Sequence, residues 1–240
     1  MAYAIRFARL PVFPCLFSNS IMAGVASASI NSIQSLTTIP ILPPDCDNTL
    51  VFLTLRKISV VIDLPNLNDD DKGAVVSDVY NIQHRLLLSL NATSVIAVCD
   101  LQHAFKIAAL LYLDLFIREH PNRSRLHDNL LSRLTVVLSS SRWDLKFIEF
   151  AGSLENRQIQ WMKQVLTWIV FVALSASRER FARAKLVAVL GKAIPEVCRL
   201  KLDEVKAMHG RVVWRHIKCS QALEELWREN YARELALVGI

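Results

Sequence analysis

Glycine is scarce, with six residues in 240. All-β and dinucleotide-binding proteins need glycine in tight turns and phosphate loops, so the shortage argues against both. The five cysteines, at positions 15, 46, 99, 198 and 219, contain no C-x-x-C pair. That removes the usual zinc and redox motifs, and an odd, scattered set reads as reduced intracellular thiols. No H-E-x-x-H, G-x-S-x-G, G-x-G-x-x-G or Walker sequence occurs. Long uninterrupted apolar runs are missing too. Gln164 to Ser177 is uncharged but only 14 residues long, against the ~20 a membrane span needs, so it reads as a buried helix. Leu10 to Pro44 is longer but carries five prolines, which make it a poor membrane helix. No membrane span is expected.

Acids are absent from residues 1–44, which carry two arginines and a net +2; residues 45–114 carry −4 and residues 115–240 carry +8, for a total of +6. The basic half suits an acidic partner or nucleic acid, although mixed signs throughout favour ordinary solvated helix faces. In the first 44 residues, Arg6, Arg9 and many serines resemble a mitochondrial transit peptide. Leu10–Phe17 followed by Ala26-Ser27-Ala28 resembles a secretory signal with its cleavage pattern. Pro11, Pro14 and the polar Ser18-Asn19-Ser20 spoil both patterns, so a loose, non-targeting extension is expected.

What the chain has in quantity is apolar residues, 52% of the total, with a mean hydropathy of +0.30. They fall at helical spacing. Between Val98 and His120, Leu101, Ala104, Phe105, Ala108, Leu111, Tyr112 and Leu115 recur at three- and four-residue steps. Ile107, Leu110 and Leu113 widen that stripe, so this helix is expected to sit centrally and to stop before Pro121. Asp69-Asp70-Asp71 lacks the alternating ligands of a calcium loop and reads as the acidic start of a helix over Lys72–Leu90. Leu126–Leu138, Ile159–Ser175 and Arg178–Leu190 are further helices. In the last of these, Phe181, Ala184, Val187, Ala188 and Leu190 are expected to face inward. Residues 142–158 form a polar connection with room for one turn at Leu145–Phe150. Glu196–Trp214 and Ser220–Leu237 supply the final helices, with Gly210 a candidate break. Asp45–Leu67 is ambiguous between strand and helix.

The expectation is an all-α protein of about six to eight helices in a single domain over residues 72–240. Residues 1–71 form an N-terminal extension, largely disordered or irregular. Cys99 and His103 lie four apart, yet no second pair follows at ligand spacing, so packing is favoured over zinc. His120, His127, His209 and His216 have no motif around them. The tryptophans at 143, 161, 168, 214 and 227 read as core. Arg178, Arg180, Arg183 and Lys185, the densest basic cluster, read as a solvated face. No catalytic, cofactor-binding, metal or DNA-binding residue is nominated, and no cofactor is expected.

Several strings together resemble the regulatory domain of fungal zinc-cluster transcription factors. Tyr80-Asn81-Ile82-Gln83-His84-Arg85-Leu86-Leu87-Leu88-Ser89-Leu90 is similar to a family helix ending in R-L-L-x-L. Phe105-Lys106-Ile107-Ala108-Ala109-Leu110-Leu111-Tyr112-Leu113-Asp114 is similar to its R-x-A-A-L-x-Y-L string. Leu131-Ser132-Arg133-Leu134 follows. Val165-Leu166-Thr167-Trp168-Ile169-Val170-Phe171-Val172 resembles its L-L-W-x-L-F-V helix. Arg180-Phe181 and Trp214 fall where an aromatic pair and an F-L-W follow in the family. The resemblance covers roughly 150 residues in order and lacks the six-cysteine DNA-binding module. It implies a non-enzymatic, nuclear regulatory domain acting through protein contacts, self-association or a small effector, without specific DNA binding of its own. The alternative expectation is a helical protein imported into mitochondria or secreted after losing its first segment.

Overall fold

Sixty-nine to ninety-two is the first long stretch whose start is written in its own side chains. In the computed structural model, which describes residues 46–92, 100–119, 124–141, 143 and 156–238, Asn68 Oδ1 accepts the Asp71 N–H at 2.7 Å. This caps a helix over Asp69–Ala92 whose first turn holds Asp69, Asp70 and Asp71. The carboxylates complement the positive helix end, as expected, and the capping oxygen is that of Asn68.

Eight α-helices, a π turn and a 3-10 turn hold most of the described residues, and no strand occurs among them. The α-helices are α1 (Cys46–Val61), α2 (Asp69–Ala92), α3 (Asp100–Tyr112), α4 (Arg125–Ser140), α5 (Asn156–Ala176), α6 (Arg180–Ala193), α7 (Leu202–Gly210) and α8 (His216–Val238). The protein is all-α. The chain divides into a unit of Met1–Ile39 and a unit of Pro40–Ile240, and every helix named here belongs to the second. Within the extension expected over residues 1–71, Cys46–Val61 is instead a helix with Val51, Phe52, Leu55 and Ile58 buried, and residues 1–45 lie outside the described residues. The β-branched Val51, Ile58, Val60 and Val61 disguise α1 as a strand. Tertiary burial of its Leu55/Ile58 face overrides that propensity.

The hub is α3, packed against α1, α2, α4 and α5. Every residue from Ala104 to Leu113 is buried, including the Lys106 stem, whose Nζ donates to Ser89 Oγ at 2.6 Å. The helix widens into a π turn over Leu113–Ile117, closed by the Arg118 N–H donating to Leu113 O at 2.9 Å. It thus stops earlier than the proline signal placed it. Beyond the turn, Glu119 adopts φ +51°, a left-handed conformation uncommon outside glycine.

Opposite α3 lies α5, with 13 buried residues that include Trp161 and the whole run Val165–Ala173. Its length and apolarity are enough to cross a membrane, yet 72% of the relevant window is buried inside the protein. Aromatic rings link the layers. Phe52 meets Trp161 edge-on at 5.4 Å between centroids, Phe105 lies 5.7 Å from Trp168, and Trp168 lies 5.5 Å from Tyr112. The series continues through Phe116 to Phe171 at 5.8 Å. The Trp168 indole N–H donates to Val213 O at 2.8 Å, so its polar atom is satisfied in the core.

Past α5 the sequence reading fares differently. In α6 only Leu186 and Ala193 are buried, while Phe181, Ala184 and Ala188 are exposed and Val187 and Leu190 lie between. The expected inward face is turned outward. The stretch read as a helix over Glu196–Trp214 is a 3-10 turn (Pro195–Arg199) followed by α7, which ends at Gly210. The turn expected at Leu145–Phe150 lies outside the described residues.

Candidate functional site

The π turn delivers Asp114 and Arg118 to one small pocket. Its opposite wall is the start of α4, where the Ser124 hydroxyl accepts the His127 N–H at 3.1 Å and fixes the first turn. His127 is 2% exposed, and its Nδ1 faces Asp114 Oδ2 at 3.0 Å. This pairing fits an Nδ1–H that donates to the carboxylate oxygen. Nε2 has no hydrogen-bond partner, and neither has the buried Arg118 Nη2. The Arg118 guanidinium carbon sits 4.8 Å from the centroid of the Tyr80 ring. Gln83, Leu110, Leu113, Leu126 and Leu130 complete the lining of a cavity of about 20 Å³. That is room for about one water-sized group. The arrangement offers a cationic donor and an imidazole nitrogen to such a group, and the space is too small to enclose a metabolite.

A second polar centre fastens the far end of the π turn. Arg215 Nε donates to Asp63 Oδ1 at 2.8 Å, and its Nη1 donates to Phe116 O and to Glu119 Oε1. Lys218 Nζ pairs with Glu119 Oε2 at 2.9 Å. Hydrogen bonds from Lys218 and Arg215 hold the Glu119 carboxyl below its ordinary range. Burial pulls the Arg215 guanidinium down, and the hydrogen bonds to Asp63 and Glu119 outweigh it, for a net rise. These contacts tie down the side chain of Glu119, the residue with the left-handed backbone. Beside this centre, Tyr112 Oη and Ser59 Oγ lie 2.9 Å apart. Burial pushes the neighbouring Cys219 thiol up to about 12, so it stays protonated and unreactive at neutral pH.

The sequence-flagged residues scatter. His103 is half-buried and its basicity is lowered, first by burial and then by Arg133 and Lys106. Cys99 and His120 lie outside the described residues. His216 is exposed. His209 is fully enclosed, 5.0 Å from the Phe171 ring and 5.6 Å from Trp214, with neither ring nitrogen hydrogen-bonded. Burial lowers its pKa to about 3. Trp143, Trp161 and Trp168 are core, as expected, and Trp214 and Trp227 are half-buried. Arg178, Arg180 and Lys185 are exposed, whereas Arg183 bonds Ser177 O and Glu229. Among the described residues no three of His, Cys, Asp or Glu converge on a metal position. Sequence reasoning missed Asp114, Arg118 and Arg215. The one available signal was their charge inside or beside apolar runs, as in Val212-Val213-Trp214-Arg215.

No protein-family model matches the chain, and no curated protein or solved structure matches it.

Proposed function

We propose that the chain is a non-enzymatic regulatory module of the transcription-regulator kind, acting in the nucleus through protein contacts rather than by reading DNA itself. One observation carries the reading. Four of the strings that resemble the fungal regulatory domain fall, in order, on α2, α3 with its π turn, α4 and α5, the second and fourth on the two most buried helices, while Arg180-Phe181 opens α6 and Trp214 lies between α7 and α8. The Asp114–His127–Arg118 pocket takes only a water-sized group, so it is not itself where a small effector would sit. The test is to fuse the whole chain to an unrelated DNA-binding module and measure a reporter gene, with a fluorescent fusion to locate the protein. Reporter output changed severalfold, with nuclear fluorescence, is the expected result. Unchanged output, or fluorescence confined to mitochondria, rejects the reading and favours the imported-protein alternative. Purified chain mixed with random genomic fragments at about 150 mM salt is expected to enrich no short motif.

A further inference from the structure

We propose that the outward face of α6 is a docking surface for an acidic amphipathic helix on another protein. Phe181, Lys185, Ala188 and Lys192 follow one another at four-, three- and four-residue steps, with Ala184 beside them, so they share one face. All five are exposed. Phe181, at 71%, is the most exposed large apolar side chain among the described residues. Lys185 Nζ lies 4.4 Å from its ring centroid, which holds the ring against the helix. The opposite face carries Leu186, fully buried against the body of the protein, so the outward face is fixed in place.

Three properties of this face select the partner. Ala184 and Ala188 leave a shallow ledge beside the Phe181 ring, where a second helix can approach closely. Arg178, Arg180, Lys185 and Lys192 are exposed around it, and Glu179 is the one acid between residues 178 and 193. Arg183 is turned away, toward Ser177 O and Glu229. An apolar centre with a cationic rim matches a helix that is apolar along one stripe and acidic beside it. Nucleic acid needs the cations and has no use for the ledge. A membrane surface needs more inserted apolar area than one phenylalanine and two alanines provide. Apolar residues that the pattern of the chain assigns to the core lie outside here, and such conflicts concentrate at functional surfaces.

The inference names the partner class for the protein-contact reading and rests on it. The experiment uses the full chain and a labelled synthetic helix of about 18 residues, long enough to hold helical structure, with leucine on one face and glutamate on the other. Fluorescence anisotropy at about 150 mM salt is expected to show saturable binding. Phe181→Ser and Ala188→Glu are each expected to weaken it about thirtyfold, the loss of one anchor position. The double variant Lys185→Glu, Lys192→Glu is expected to lose the acidic peptide and to bind its lysine-faced counterpart, a gain that misfolding cannot mimic. Absence of saturable binding overturns the proposal, as does binding indifferent to every variant. So does stronger binding to phosphatidylserine vesicles or to a random DNA duplex that the same variants abolish. A silent titration beside an active reporter fusion sinks the docking surface alone; a positive titration beside a silent reporter sinks the regulatory reading alone.

Discussion

α5 and α6 are neighbours in the chain, joined by Ser177-Arg178-Glu179, and they meet solvent in opposite ways. α5 buries 13 of its residues and α6 buries two, Leu186 and Ala193. Both are rich in apolar side chains. The difference lies in what surrounds them: α5 packs on α3, α4, α6, α7 and α8, while α6 packs on α4, α5 and the 3-10 turn and reaches α8 through the Arg183–Glu229 pair. A helix enclosed on all sides has no phase to misjudge. A helix with one buried side does, and apolar residues all round α6 leave several phases open until the neighbours choose Leu186.

The contrast between an enclosed core and a one-sided helix can be tested by substitution. Leu111→Asp, in the enclosed half of α3, is expected to abolish cooperative folding. A buried carboxylate without a partner costs several kcal/mol, comparable with the ~5–15 kcal/mol stability of a whole domain. Soluble variant protein with a sharp thermal transition would contradict it. Leu186→Ala removes the one large buried side chain of α6 and is expected to cost about 2–5 kcal/mol by urea denaturation. A loss below about 0.5 kcal/mol would show that α6 is not seated by this residue.

The third effect is graded by pH. Burial lowers His209 to about 3 from its ordinary 6.5. Between those values the unfolded chain binds a proton that the folded chain refuses, so stability falls as pH falls. It is complete above about 6.5 and declines by up to about 1.4 kcal/mol per pH unit toward 3. Denaturation midpoints between pH 4 and pH 7 check the sign by reference to His209→Phe, in which this part of the slope is expected to vanish. The smallest effect is Ala188→Glu on the open face of α6. Its stability is expected to stay within about 0.5 kcal/mol of the parent. Unfolding of this variant would place Ala188 in the core after all.

The helical class and the two central helices were legible because α3 and α5 are apolar around most of their circumference, which leaves little else for them to be. α1 was not, since its valines and isoleucines serve strand and helix alike. The end of α3 was read from Pro121, but a π turn has no residue signature, and the helix stops at Ile117 instead. The Asp114–His127 pair was invisible for a related reason. The two residues are 13 apart on different helices, and only the packing of the π turn beside the start of α4 brings them together. Arg215 is harder still, since its partners Asp63 and Phe116 come from distant segments.

That last separation has a kinetic side. The Arg215 guanidinium joins residues 152 and 99 positions away along the chain. Closing such loops is entropically unfavourable until other contacts hold the ends near one another. The joint between the α1–α2 loop, the π turn and the start of α8 is therefore expected to form late, after α3 and α5 have met. Arg215→Met should then speed unfolding while leaving the refolding rate nearly unchanged, as stopped-flow measurements of both limbs can establish. Slowed refolding would instead put this joint in the nucleus. On the expected outcome, a side chain outside the hydrophobic centre sets how long the assembled protein lasts rather than how quickly it assembles.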